Sequence, residues 1–135
     1  MVPGRFNSQT VIVTGAGADI GRATTSRVAR QSGRVVAVHI SAERLEERVS
    51  AQPSLADITS NDAVRNIVAS AHGRIDGLAN VAGIGDDMPP RHEVRDAAWL
   101  RVWTVIVDGL FRLTRAVLPA MLTGVVARPA APRHV

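Results

Sequence analysis

A chain of 135 residues, 46% hydrophobic and 21% charged, is long enough for one domain with a real core and too apolar for wholesale disorder. It has no cysteine, which excludes disulfides and thiolate metal sites. Its net charge of +4 rests on scattered arginines, with lysine absent and the aromatic platforms of single-strand binders missing, so nucleic acid is not an expected partner.

The first nine residues read as a lead-in without an apolar leader, and no later stretch is long enough to span a bilayer, so no membrane contact and a cytoplasmic location are expected. Thr10 to Val13 is a β-branched run that predicts a buried strand. A glycine-punctuated turn from Gly15 to Asp19 follows. Strand, turn and then an amphipathic segment from Ile20 to about Ser32 are the opening of a dinucleotide-binding βαβ unit. Ile20, Thr24, Val28 and Ala29 form the predicted inner face of that helix, and Gly33 stops it. Val35 to Ile40 is a near-continuous apolar strand of the kind buried in parallel sheets. Ser41 is the N-cap of a short helix ending near Val49, and Pro53 to Asp57 is a brief third strand. Thr59 or Ser60 caps a helix from Asn61 to about Ala71, with Val64, Ile67 and Val68 inward. Gly77 to Val81 is the fourth strand, and Gly83 to Glu93 is a loop. A long helix from about Asp96 to Leu122 carries Trp99, Val102, Ile106, Leu110, Leu113 and Val117 as one apolar stripe, with Pro119 near its end. Alternating strands and helices with short connections predict an α/β protein with a parallel sheet.

The segments V-T-G-A-G-A-D-I-G-R (13–22), A-D-I-T (56–59), H-G-R-I-D-G-L-A-N-V-A-G (72–83), A-W-L-R-V-W-T-V-I-V-D-G-L-F (98–111) and L-T-R-A-V-L-P-A-M (113–121) stand in one order along the chain. Together they resemble the short-chain dehydrogenase/reductase family of NAD(P)-dependent oxidoreductases. The resemblance implies a Rossmann fold, here a partial one of about four parallel strands in the order 3-2-1-4. It divides the chain into a lead-in (1–9), a truncated NAD(P)-binding domain (10–122) and an irregular tail (123–135). It also implies a cofactor-binding set of Gly15, Asp19, Ile20, Gly21, His39, Asp57, Asn80 and Gly83, with NAD or NADP as cofactor and no metal. Gly15 and Gly21 would shape the pyrophosphate loop, Asp57 would accept from the adenine amino group, and Asn80 and Gly83 would line the cofactor. On their own chemistry, Asp57 equally suits a cap of the following turn and Asn80 a bond to nearby backbone.

The chain departs from that family's pattern at several places. Asp19 stands where the family has glycine. Its carboxylate either swings outward or caps the helix and occupies its positive end, and the second arrangement still blocks the phosphate, so weak or absent dinucleotide binding is expected. His39 replaces the acid that reads the adenosine ribose in NAD-preferring members, while Arg44 nearby favours a 2'-phosphate. Ile106 replaces a catalytic-site Asn and continues the apolar stripe. The family's Ser, Tyr and Lys lie beyond the long helix, and this chain has no Tyr or Lys and no Ser after Ser70. No catalytic residue is therefore assigned. The expected function is that of a truncated, catalytically inactive relative of NAD(P)-dependent oxidoreductases. The alternatives are a self-associating scaffold and a residual dinucleotide-binding module. If the chain stops here, the fourth strand becomes an open sheet edge, and the expected partner is a second copy, joined through that edge and the long helix.

Overall fold

The computed structural model describes residues 4–46, 51–85 and 89–126. Four parallel strands lie in the order β3-β2-β1-β4. They are β1 (Thr10–Thr14), β2 (Arg34–His39), β3 (Gln52–Leu55) and β4 (Gly77–Ala79), and the strand order matches the sequence expectation. Each connection passes through a helix: α1 (Asp19–Arg30), α2 (Ala42–Glu46) and α3 (Asn61–Ser70). A 3-10 turn at Arg91–Glu93 then leads into α4 (Asp96–Trp103), a π-helical segment (Thr104–Gly109) and α5 (Leu110–Val126).

The apolar runs of β1 and β2 make sense once both faces of the sheet are covered. Ile12, Val36 and Val38 point to one face, where Val64 and Ile67 of α3 and Leu113 and Val117 of α5 close over them. Val11, Val13, Val35 and Ala37 point to the other, under Val28 of α1 and Leu45 of α2. Burying each such side chain fully contributes about 1.5–3 kcal/mol. The register of β1 on β4 is set before the strands begin. The Thr10 amide donates to Oδ2 of Asp76, and the Asp76 amide donates back to the Thr10 carbonyl, both at 2.8 Å.

A description of this unit as a partial Rossmann fold needs correction. With helices on both faces and a helical region running from Asp96 to Val126, it is a Rossmann-like α/β fold with a substantial C-terminal helical part. Other expectations shift in detail. The helix capped by Ser60, whose Oγ accepts from the Ala63 amide at 3.3 Å, begins at Asn61 as predicted. Of the expected inner face of α1, Val28 is buried and Ala29 packs against the same cluster, but Thr24 is only half-buried and Ile20 is not inward. Gly21, Thr25 and Val28 are buried, and Ile20 is 70% exposed. Thr25 tolerates burial because its hydroxyl donates to the Gly21 carbonyl at 2.9 Å. The predicted end of the second helix near Val49 and the tail from 127 onward lie outside the described residues.

The long helix is continuous, but its apolar stripe is buried only downstream. Leu113 and Val117 are fully buried, while Trp99, Ile106 and Leu110 are 56%, 39% and 41% exposed. The change of face falls at the π-helical segment, which ends on buried Gly109. There a Cβ would lie 2.8 Å from Cγ1 of Ile58, so the glycine lets the helix approach the end of the sheet.

Candidate functional site

The carboxyl ends of β1, β2 and β4 open on a cleft of about 110 Å³. It lies where strand order reverses about β1, the place at which open α/β sheets bind ligands. Thr14 and Gly15 form its floor, His39 and Asp57 flank one end, and Ala82, Gly83 and Val105 the other.

The loop after β1 is built by close backbone approach. Gly15 has φ of +67°, and a Cβ on it would lie 3.0 Å from the Ala82 amide nitrogen. A Cβ on Gly21 would lie 2.1 Å from the Gly15 carbonyl oxygen. These positions admit no side chain, and the loop delivers the chain to the start of α1, whose opening amides have no intrahelical acceptors.

Thr14 holds the floor together. It is 1% exposed, and its hydroxyl accepts from the amides of Val81 and Ala82, each at 3.0 Å, while lying 3.4 Å from the Ala79 carbonyl. Thr14→Val keeps the shape and strands these two donors, so we expect a loss of about 2 kcal/mol in urea unfolding. An unchanged midpoint would contradict that role.

The predicted site residues separate into two groups. Gly15, His39, Asp57 and Gly83 meet at the cleft. Gly21 is buried beneath the loop. Asp19 and Ile20 are exposed, and Asp19 borders an open groove along the solvent face of α1 with Arg22 and Arg27. Ala18, the N-cap of α1, provides no side-chain cap, and Asp19 after it takes φ of +39°, a left-handed conformation that favours glycine. Asn80 is exposed, and its amide donates to Oγ1 of Thr114 on α5 at 3.2 Å. Asp57 accepts from the Thr59 amide at 2.9 Å and the Thr59 hydroxyl at 2.7 Å, a turn cap that leaves it at the rim of the cleft. Ile106 does not join the buried stripe; it stands 3.9 Å from where a Cβ of Gly83 would be. The other lining residues, Thr14 and Val105 among them, were not anticipated as part of the site. Val105 had no signal in the sequence, because the π-helical turn that aims it has none; Thr14 was legible only as the last residue of a buried strand.

The sequence pattern of the short chain dehydrogenase family matches residues 9–128. The chain belongs to that family. A short chain dehydrogenase (andC) of Emericella variicolor is 35% identical over 124 residues, which cover 87% of this chain and 49% of that protein. The 3-oxoacyl-[acyl-carrier-protein] reductase FabG of Thermotoga maritima is 31% identical, covering 87% and 52%. Among solved structures, NAD+-bound xylitol dehydrogenase superposes with a TM-score of 0.82 at 33% identity, covering 89% of this chain and 50% of that one. A 3-ketoacyl-(acyl-carrier-protein) reductase of Brucella melitensis in complex with NADH superposes with a TM-score of 0.80 at 28% identity, covering 85% and 51%. The chain spans about half the length of the curated relatives it matches.

These likenesses overturn the expectation of a truncated, catalytically inactive remnant whose family pattern ends at Leu122. The match runs through residue 128, nearly the whole chain. The fold resembles NAD(P)-dependent oxidoreductases over the same length, and neither truncation nor inactivity is supported. Among the described residues no helix is long and apolar enough to cross a membrane.

Proposed function

We propose that this chain forms the dinucleotide-binding part of an NAD(P)-dependent oxidoreductase, working in the cytoplasm. The observation that carries the reading is the glycine cradle. Gly15 and Gly21 lie where any Cβ would strike backbone, at the mouth of a cleft at the strand-order reversal. When bound, the nicotinamide supplies the hydride donor or acceptor. The chain's own contribution is placement. The loop and the first turn of α1 hold the diphosphate, His39 and Asp57 flank the adenosine end, and Ala82, Gly83 and Val105 wall the other. Calorimetric titration with NAD(H) and NADP(H) tests this, and absence of heat with all four nucleotides would reject it.

Asp19 weakens that site in the same proposal. Asp19 stands in the first turn of α1, and a carboxylate at that end of the helix repels a diphosphate held there even with solvent screening. Asp19→Gly removes the charge and relieves the left-handed backbone. We expect dinucleotide affinity to rise about tenfold. Thermal stability should stay close to that of the parent, because glycine also loosens the unfolded chain. Equal affinities in parent and variant would show that the carboxylate is harmless to the ligand.

Self-association through α4 and α5 is the proposed partner interaction. Trp99, Leu100, Trp103, Val107 and Phe111 are each at least 41% exposed along one helical stretch, and the two tryptophan rings stand 5.5 Å apart. An exposed apolar patch of this kind marks an interface. Sedimentation velocity should show a dimer or larger species that Trp103→Asp shifts toward monomer; a parent protein that is monomeric at high concentration would refute it.

A further inference from the structure

We infer that Arg112 on α5 is a positioning residue for the cleft, holding the turn at residues 57–60 and, through it, the Asp57 carboxylate against a bound adenine. The inference rests on the dinucleotide reading above and concerns how α5 reaches a site that it does not itself line. Thr59 is gripped from two sides. Oδ1 of Asp57 accepts from its amide at 2.9 Å and from its hydroxyl at 2.7 Å, and its carbonyl accepts from the guanidinium of Arg112. That guanidinium arrives from a helix 53 residues further along the chain. A second contact lies beside it. Gly109 stands one helical turn before Arg112 on the same face, and a Cβ on it would be 2.8 Å from Cγ1 and 2.9 Å from Cδ1 of Ile58. Ile58 is itself buried in the cluster with Leu113 and Val117. The long helix therefore fixes two consecutive residues of the turn, Ile58 by packing and Thr59 by a charge-assisted bond.

These contacts bear on the cleft because Ala56, Asp57 and Ile58 line it. Thr59 occupies Oδ1 of Asp57, and no group among the described residues bonds Oδ2. The free oxygen of an ionised carboxylate only accepts, so it discriminates between purines. The 6-amino group of adenine donates to it, whereas the 6-carbonyl of hypoxanthine opposes it. Such discrimination needs a carboxylate that stays in place. An exposed aspartate on a loose turn swings away from a carbonyl; one tied through Thr59 to Arg112 does not. Within the turn the Ser60 amide donates to the Asp57 carbonyl at 3.0 Å, which closes the turn without anchoring it to the rest of the fold. Arg112 supplies that anchor from a half-buried stem, and among the described residues it forms no ion pair that would draw the guanidinium elsewhere.

The test titrates the full chain with 5'-ADP and with 5'-IDP by calorimetry, so the readout is binding and not turnover. The parent should bind 5'-ADP at least about tenfold more tightly than 5'-IDP. Arg112→Met keeps the stem and removes the donors; it should weaken 5'-ADP about fivefold and leave 5'-IDP within about twofold. Arg112→Lys, which returns a donor, should recover most of the lost preference. Asp57→Ala should remove the preference, and adding Arg112→Met to it should change nothing further, because the arginine acts through that carboxylate. Arg115→Ala removes the same charge from the same helix, at a side chain lying over Phe111 at 5.0 Å, and should alter neither affinity. A preference untouched by Arg112→Met, losses that add in the double variant, or a parent that binds both compounds equally overturns the inference while leaving the dinucleotide site standing. A parent that binds neither compound overturns both.

Discussion

Gly21→Ala is expected to destabilise the protein by at least about 3 kcal/mol and to abolish dinucleotide binding. The added methyl would lie 2.1 Å from the carbonyl oxygen of Gly15 and 2.5 Å from its carbonyl carbon. Both are backbone atoms of the loop, so no side-chain rotation relieves the clash. Either the start of α1 moves away from the sheet or the loop after β1 unfolds, and both destroy the loop proposed to hold the diphosphate. Gly85→Ala is the control, because among the described residues, its chain neighbours aside, no atom lies within 4 Å of its added Cβ. Urea unfolding followed by circular dichroism measures the loss, and calorimetry measures the binding. A Gly21→Ala protein within about 1 kcal/mol of the parent would show that the loop is not held by this contact.

Leu113→Ala should cost about 3 kcal/mol for a different reason. Leu113 is fully buried in the cluster formed by Ile12 of β1, Ile67 of α3 and Val117 of α5. Truncation removes apolar burial and leaves a cavity that close packing cannot fill. Leu113→Met, which nearly conserves volume, should lose less than about 1.5 kcal/mol. Leu118→Ala on the same helix, at a residue 46% exposed, should lose little. Leu113 does not line the cleft, so nucleotide affinity at low temperature should survive the substitution. Equal losses at Leu113 and Leu118 would sink the packing argument.

The β1 strand, the glycine loop and the strand order were legible because they depend on local patterns: a β-branched run, glycines at a turn and a strand–helix alternation. The inner face of α1 was not, because a polar residue took a core position. Thr25 can be buried only by bonding the Gly21 carbonyl, a contact that apolar periodicity does not report. Ile20 was misplaced inward by the same logic and lies in solvent. At the site, Gly15, His39, Asp57 and Gly83 were placed at one cleft. What the sequence could not show was how they are engaged. The tautomer of His39 follows from the Ser41 amide, and the role of Thr14 follows from two loop amides, Val81 and Ala82, far from it in sequence.

The π-helical segment at Thr104–Gly109 divides one continuous rod into two independently tunable halves. One extra residue in a helical turn advances the face of everything that follows by roughly 100°. Upstream, Trp99 and Trp103 address the exterior; downstream, Leu113 and Val117 address the sheet. Substitutions in the upstream half are therefore free to retune what the protein meets without disturbing what keeps it folded. Those at Leu113 and Val117 in the downstream half are confined by the core. A joint of this kind lets one helix diversify at its outer end while its inner end stays fixed.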